Sequence, residues 1–125
     1  MTTLYTSDHE WLSIEGDVAT IGITDFAQAQ LGDVVFVELP QVGRALKKTE
    51  AAAVVESVKA ASDVYSPVTG TVVEVNASLS DKPETINEDA YGEGWIFVVE
   101  IDDKEQLNEL LAPDDYAELL EDDAH

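Results

Sequence analysis

Short runs of apolar residues, several alternating with polar ones, follow one another along most of the chain and predict strands. Trp11 to Ile14 and Val18 to Ile23 are rich in β-formers and flank Glu15-Gly16-Asp17, which predicts a hairpin. The pattern then changes period. In Thr24-Asp25-Phe26-Ala27-Gln28-Ala29-Gln30-Leu31-Gly32, Thr24 or Asp25 can cap, Gln28 stands three residues after Asp25, and Gly32 can terminate. That segment predicts a helix of about two turns. Val34 to Leu39 predicts a strand stopped by Pro40, and Gln41 to Arg44 a turn. Strands are expected again over Ala51 to Val58, Asp63 to Tyr65, Thr71 to Val75 and Trp95 to Ile101, with a turn cluster over Ser66 to Gly70. Asn76 to Gly94 is polar, holds Pro83, Gly92 and Gly94, and predicts a long irregular loop. Near the C-terminus Leu107, Leu110 and Leu111 fall at helical spacing, Pro113 breaks the run, and Tyr116, Leu119 and Leu120 share one side of a second short helix that frays over Glu121-Asp122-Asp123.

Many short strands without strand–helix–strand alternation favour a sandwich or barrel. The 125 residues fit one domain, 1–125, with a hairpin over about 50–68 and a C-terminal helical segment over about 103–121. A chain of this size buries roughly two thirds of its unfolded surface, enough for one core.

Charge narrows the function classes. Six basic residues face 27 acidic ones, for a formal charge of -21. A field of that sign repels phosphate backbones and anionic headgroups, which excludes nucleic acid and membrane surfaces and favours basic partner surfaces. There is no cysteine, so any redox sulfur must arrive on a prosthetic group. The N-terminal residues form neither a signal nor a transit peptide, which makes the cytoplasm the expected location. His9-Glu10 lacks a second histidine at metalloprotease spacing, so no metal site is expected.

One residue stands out. If the strands of 51–58 and 63–65 pair, Lys59-Ala60 lies at the tip, and Lys59 is the only basic residue between Thr49 and Asp81. Lys-Ala is a poor pair for a two-residue hairpin turn, where Asn-Gly or Asp-Gly tolerate positive φ. Spacing alone still favours a plain solvated lysine.

Longer stretches change that weighing. Glu56-Ser57-Val58-Lys59-Ala60-Ala61-Ser62-Asp63 resembles the lipoyl-lysine motif of glycine cleavage H proteins. Ser7-Asp8-His9-Glu10-Trp11, Ile21 to Gln28, Leu31 to Pro40, Ser66 to Gly70, Val73 to Asn76, and Tyr91 with Gly94-Trp95 are similar to other blocks of that family, in family order and over nearly the whole chain. The resemblance implies a mainly β barrel-sandwich hybrid of the lipoyl/biotinyl type, with a short internal helix and C-terminal helices. It implies lipoate joined by an amide to Lys59, and a carrier that catalyses nothing itself. That carrier would take an aminomethyl group from a pyridoxal-phosphate glycine decarboxylase to an aminomethyltransferase, with reoxidation by dihydrolipoamide dehydrogenase. Lipoate-attaching enzymes would be further partners, with Glu56 in their recognition. The loaded arm would shelter beside Glu10 and Asp63. At Gln30 and Phe26 this chain departs from relatives that carry histidine there, so Gln30 is an arm contact only by position. Three other readings share the motif: a lipoyl/octanoyl relay protein for protein lipoylation, a lipoyl or biotinyl domain of a larger enzyme, and an unmodified interaction module. The residues around the lysine, Val58 and Ala60, and the long C-terminal half disfavour the second of these.

Overall fold

Among residues 2–123, which the computed structural model describes, nine strands form two antiparallel sheets. Residue 1 and residues 124–125 of the expected domain lie outside that range. The strands are β1 (Thr2–Tyr5), β2 (Glu10–Glu15), β3 (Val18–Ile23), β4 (Val34–Glu38), β5 (Ala45–Leu46), β6 (Ala51–Ser57), β7 (Ala61–Tyr65), β8 (Gly70–Val75) and β9 (Phe97–Ile101). The larger sheet runs β1-β2-β3-β9-β8-β5 and the smaller β4-β6-β7. Leu12, Ile21, Val72, Phe97 and Val99 from the larger sheet and Val37, Val55 and Val64 from the smaller one share a single buried cluster. The alternation that predicted strands is therefore the inward set of a two-sheet core. It fails where bulges interrupt the ladder: between Val34 and Phe36 a bulge leaves both Val35 and Phe36 exposed.

The internal helix α1 spans Asp25–Leu31, with Thr24 as N-cap accepting the Ala27 amide and Gly32 as C-cap. Three expectations need correction. Segment 76–94 is not wholly irregular: it holds two single-turn helices, α2 (Ser78–Asp81) and α3 (Thr85–Glu88). Each drops one apolar side chain, Leu79 or Ile86, fully into the core. Four-residue helices are too short to show a 3.6-residue period, so the pattern could not reveal them. The expected helix over 103–111 is a 3-10 helix over Lys104–Glu109, after which Leu111 bridges to Tyr5. Pro113 opens the last helix, α4 (Pro113–Asp123), and that helix continues through the acidic run expected to fray. Proline suits a first helical position because its missing N–H would have no partner there. The two-residue β5 and the edge strand β1 were not apparent in the pattern.

At Gly70 the backbone of β9 leaves no room for a side chain on β8. A Cβ there would lie 2.2 Å from the Glu100 carbonyl oxygen. Gly70→Ala should therefore push β8 from β9 and cost toward the upper end of the ~1–3 kcal/mol typical of overpacking. Urea denaturation measures this, and a loss below about 0.5 kcal/mol would show that the strands part freely.

Candidate functional site

The hairpin of β6 and β7 closes at Glu56 opposite Ala61. Inside that pair the Ser57 amide donates to the Ala60 carbonyl at 2.7 Å, so the turn residues are Val58 and Lys59 rather than Lys59-Ala60. Neither has positive φ; among non-glycine residues described, His9 and Thr49 do. The turn thus makes no demand for Asn-Gly, which removes the sequence objection to a lysine at the tip. Ser57 Oγ accepts the amides of Lys59 at 3.2 Å and Ala60 at 3.1 Å. The tip is also sewn to the corner after α1, where the Val58 amide donates to the Asp33 carbonyl at 3.1 Å.

That corner is a platform for the exposed Lys59. Gly32 has φ 80°, a left-handed value that glycine adopts without strain. A Cβ there would sit 3.3 Å from Lys59 Cε, so the lysine stem lies across a residue with no side chain. Asn87 of α3 fixes the corner from below. Its Nδ2 donates to the Gly32 carbonyl at 2.8 Å and to Gln28 Oε1 at 2.9 Å, while its Oδ1 accepts the Val34 amide at 2.8 Å. Nothing in a polar loop of asparagines and acids singled Asn87 out.

Next to the platform is a cavity of about 200 Å3, which begins at Leu31. Ile23, Phe26, Ala27, Leu31 and Val55 give it an apolar wall. The three residues expected at the arm, Glu10, Gln30 and Asp63, all line it, though they are far apart in sequence. They do not contribute alike. Gln30 is an exposed residue of α1. Asp63 pairs with Val54, whereas buried Val55 pairs with Ser62. Paired residues share a face, so Ser62 takes the cavity side and Asp63 borders the cavity from the outer face of the sheet. Ser62 was not among the expected site residues. Glu56 does not line the cavity; it stands three residues before Lys59 on the hairpin.

Glu10 is the residue that the fold treats most unusually. It is 2% exposed, the one fully buried acid among the described residues. Its Oε2 accepts the Tyr65 amide at 2.7 Å and its Oε1 the Thr6 hydroxyl at 3.1 Å. Burial pushes its pKa to about 8, with Asp8 adding a little, against the opposing pull of the hydrogen bonds from Tyr65 and Thr6. Glu10 and Asp8 also line a second cavity of about 240 Å3, toward Tyr5, Lys48 and Tyr65. Glu10 therefore stands in the wall between two spaces.

The segment before Glu10 is held by a tight turn. The His9 amide donates to the Thr6 carbonyl, and His9 has φ 67°. The His9 ring packs on Phe26 at 4.6 Å, and its Nδ1 meets the Tyr116 hydroxyl at 2.8 Å. That hydroxyl also meets the Thr24 hydroxyl at 2.7 Å, so α4 reaches the cap of α1. Among the described residues no group of three or more His, Cys, Asp or Glu could hold a metal ion.

The Glu10 displacement has a sign that can be checked. Its pKa in the folded chain lies above the ordinary 4.5, so between 4.5 and about 8 the folded state binds more protons than the unfolded one. Stability contributed by Glu10 is full below that window and falls as pH rises through it. Glu10→Gln keeps an acceptor for Tyr65 and removes the titration. Its urea midpoint relative to the parent should rise between pH 5 and pH 8.5; parallel pH profiles would mean that Glu10 titrates normally.

With this geometry established, three comparisons bear on the chain. A model of the family described as glycine cleavage H-protein matches residues 3–123. A glycine cleavage system H protein of Xanthomonas campestris pv. campestris is 78% identical over 122 residues, covering 97% of this chain and 93% of that protein. One from Xanthomonas euvesicatoria pv. vesicatoria is 73% identical over the same coverage. The crystal structure of a glycine cleavage system H protein from Mycobacterium marinum superposes with a TM-score of 0.84 at 40% identity, over 92% of this chain and 93% of that one. The two-sheet architecture is thus the barrel-sandwich fold of lipoyl and biotinyl carriers.

Proposed function

The chain belongs to the glycine cleavage H-protein family and is the lipoyl-carrying component of the glycine cleavage system; from that premise we propose that Lys59 bears the lipoyl group and that the cavity beside it shelters the cargo. One observation carries the reading: an exposed lysine rests on a fixed hairpin tip one residue away from a cavity that holds a buried carboxyl.

The residues present fit such a group. Lys59 Nζ is a reachable amine for amide formation, and the wall of Ile23, Phe26, Leu31 and Val55 suits an alkyl and sulfur chain. The lipoyl group supplies a dithiolane that takes up an aminomethyl group and gives it up again. The chain's own residues do the rest. Ser57, Asp33 and Gly32 fix the base from which the arm swings. Tethering raises the local concentration of the arm's end at whichever active site has docked the carrier. Glu10 offers a charge-assisted hydrogen bond to an ammonium in the cavity. Ser62 and Gln30 offer neutral polar contacts at its edge, and Asp63 adds a field from the outer face. Glu56 lies on the hairpin that a lipoate-attaching enzyme must recognise.

In this reading the chain works as a carrier without catalysis of its own. Its partners are a pyridoxal-phosphate glycine decarboxylase, an aminomethyltransferase, dihydrolipoamide dehydrogenase and lipoate-attaching enzymes. The net charge of -21 speeds their approach where their docking faces are basic. We place this work in the cytoplasm, in keeping with the bacterial relatives. No helix among the described residues is long and apolar enough to cross a membrane.

Two outcomes test the reading. Lys59→Arg should fold within about 1 kcal/mol of the parent, since the side chain is exposed, yet accept no lipoate. Peptide mapping that places lipoate on Lys47, Lys48 or Lys82 would reassign the site. Glu10→Gln should be lipoylated and loaded normally but lose its cargo faster as formaldehyde and ammonia, because a charge-assisted bond worth about 1.5–3 kcal/mol is weakened. Asp63→Asn should act in the same direction and more weakly, given its outward face. Equal lifetimes for the parent and both variants, after removal of the decarboxylase, would confine the functional site to Lys59.

A further inference from the structure

We propose that loading the carrier discharges a proton: the Glu10 carboxyl is uncharged before the aminomethyl group enters the cavity and becomes a carboxylate paired with its ammonium once inside. The inference rests on the reading of Lys59 as the attachment point and goes beyond it by assigning Glu10 two charge states within one working cycle.

The geometry around Glu10 points this way. The carboxyl is almost sealed from water, and the two donors that meet its oxygens, the Thr6 hydroxyl and the Tyr65 amide, are neutral and offset only part of the cost of burying a charge there. The groups that face it come from several elements. Asp8, two residues before it, is acidic and opposes ionisation. His9, which lines the cavity beside Lys59, has its Nδ1 against the Tyr116 hydroxyl. From β7 come Asp63, of like charge, and Tyr65. Tyr5 comes from β1. Lys48 stands at the second cavity and is paired with Glu109 of the 3-10 helix. No cation among the described residues is bonded to the carboxyl. A pKa of about 8 agrees with that surrounding.

An arriving ammonium inverts the balance. A positive charge within hydrogen-bonding reach favours the carboxylate and lowers its pKa by units. The O–H bond of Glu10 breaks and its proton passes to solvent water; nothing is oxidised or reduced. Asp8 is exposed and lines both cavities, so water reaches the neighbourhood of the carboxyl while the arm is in place. The exchange also explains how the cargo is kept. An aminomethyl thioether falls apart when the nitrogen lone pair expels the thiolate. Pairing with a carboxylate holds the nitrogen protonated and removes that lone pair.

The test is carbon-13 NMR of the full chain labelled at glutamate carboxyls, titrated in the unlipoylated form and after lipoylation and loading with glycine by the decarboxylase. The Glu10 signal is identified by its loss in Glu10→Gln or, if that variant does not fold, by through-bond correlation to the Glu10 amide in the parent. The expected midpoint is near 8 in the unlipoylated chain and more than about two pH units lower in the loaded one. An unlipoylated midpoint near 4.5 overturns the proposal. Intact and peptide masses locate the cargo. A mass gain at Lys59 with an unmoved Glu10 midpoint removes this inference alone, whereas a gain at another lysine removes the carrier reading and this inference with it.

Discussion

One hydrogen bond joins the two sheets at the site: the Tyr65 amide, at the end of β7, donates to the Glu10 carboxyl at the start of β2. An amide left without a partner inside a protein costs about 1–3 kcal/mol, and this bond prevents that at the seam. It also draws the carboxyl inward, away from the surface that most of the chain's other acids occupy. The turn over Thr6 to His9 exists to make this possible. Thr6 Oγ1 accepts the amides of Asp8 and Glu10 while its hydrogen goes to Glu10 Oε1. The turn in turn sets His9 against Phe26 and Tyr116, and through Tyr116 fastens α4 to the cap of α1. The wall of the cavity and the closure of the C-terminus therefore depend on the same short segment.

A swinging arm is useful only if its base is fixed, because any slack at the base spreads the arm's end over volume that holds no target. On the proposed attachment at Lys59, the base is fixed without burying the lysine. The rigidity comes from hydrogen bonds around it: the backbone pairs Ser57 to Ala60 within the turn and Val58 to Asp33 across to the neighbouring corner, and the Asn87 side chain beneath Gly32. Gly32 leaves the stem room to lie flat and to leave again. The Val35–Phe36 bulge lies on β4, directly after the corner to which the tip is sewn, and keeps two apolar side chains in solvent close to the lysine end of the hairpin.

Much of this was readable from residues alone. Runs of β-forming apolar residues bounded by turn residues located β2, β3, β4, β6, β7, β8 and β9, because each contributes to the buried core and the pattern reports burial. The capping residues around α1 were readable because caps act locally, within three or four residues. Family blocks brought Glu10, Gln30 and Asp63 to one site, and the fold gathers all three around one cavity. What stayed hidden depended on partners remote in sequence. Asn87 matters through Gly32 and Val34, more than fifty residues away, and no local pattern encodes that. The exchange of roles between Ser62 and Asp63 follows from the register against β6, which a single strand does not specify. The burial of Glu10 is of the same kind. A strand-edge acid beside Asp8 and His9 looks solvated until β7 is laid across it.

A buried acid normally weakens a small protein, and the neutral resting state proposed for Glu10 avoids most of that penalty. Burying an unpaired carboxylate costs several kcal/mol, but a neutral carboxyl with two hydrogen-bonding neighbours costs far less. Between turnovers Glu10 thus resembles any other buried polar group, such as Thr24 or Ser66. The electrostatic work is deferred to the moment when a cation is present to offset it. A carboxylate exposed to water would hold an ammonium weakly at all times, because surface pairs are worth only about 0–1 kcal/mol. A carboxylate permanently paired with a lysine or arginine would be unavailable. In the proposed cycle, placing the acid where it is neutral until its counter-ion arrives gives a grip that depends on cargo. It also lets the grip be undone once a partner draws the arm out and the carboxyl can take back a proton.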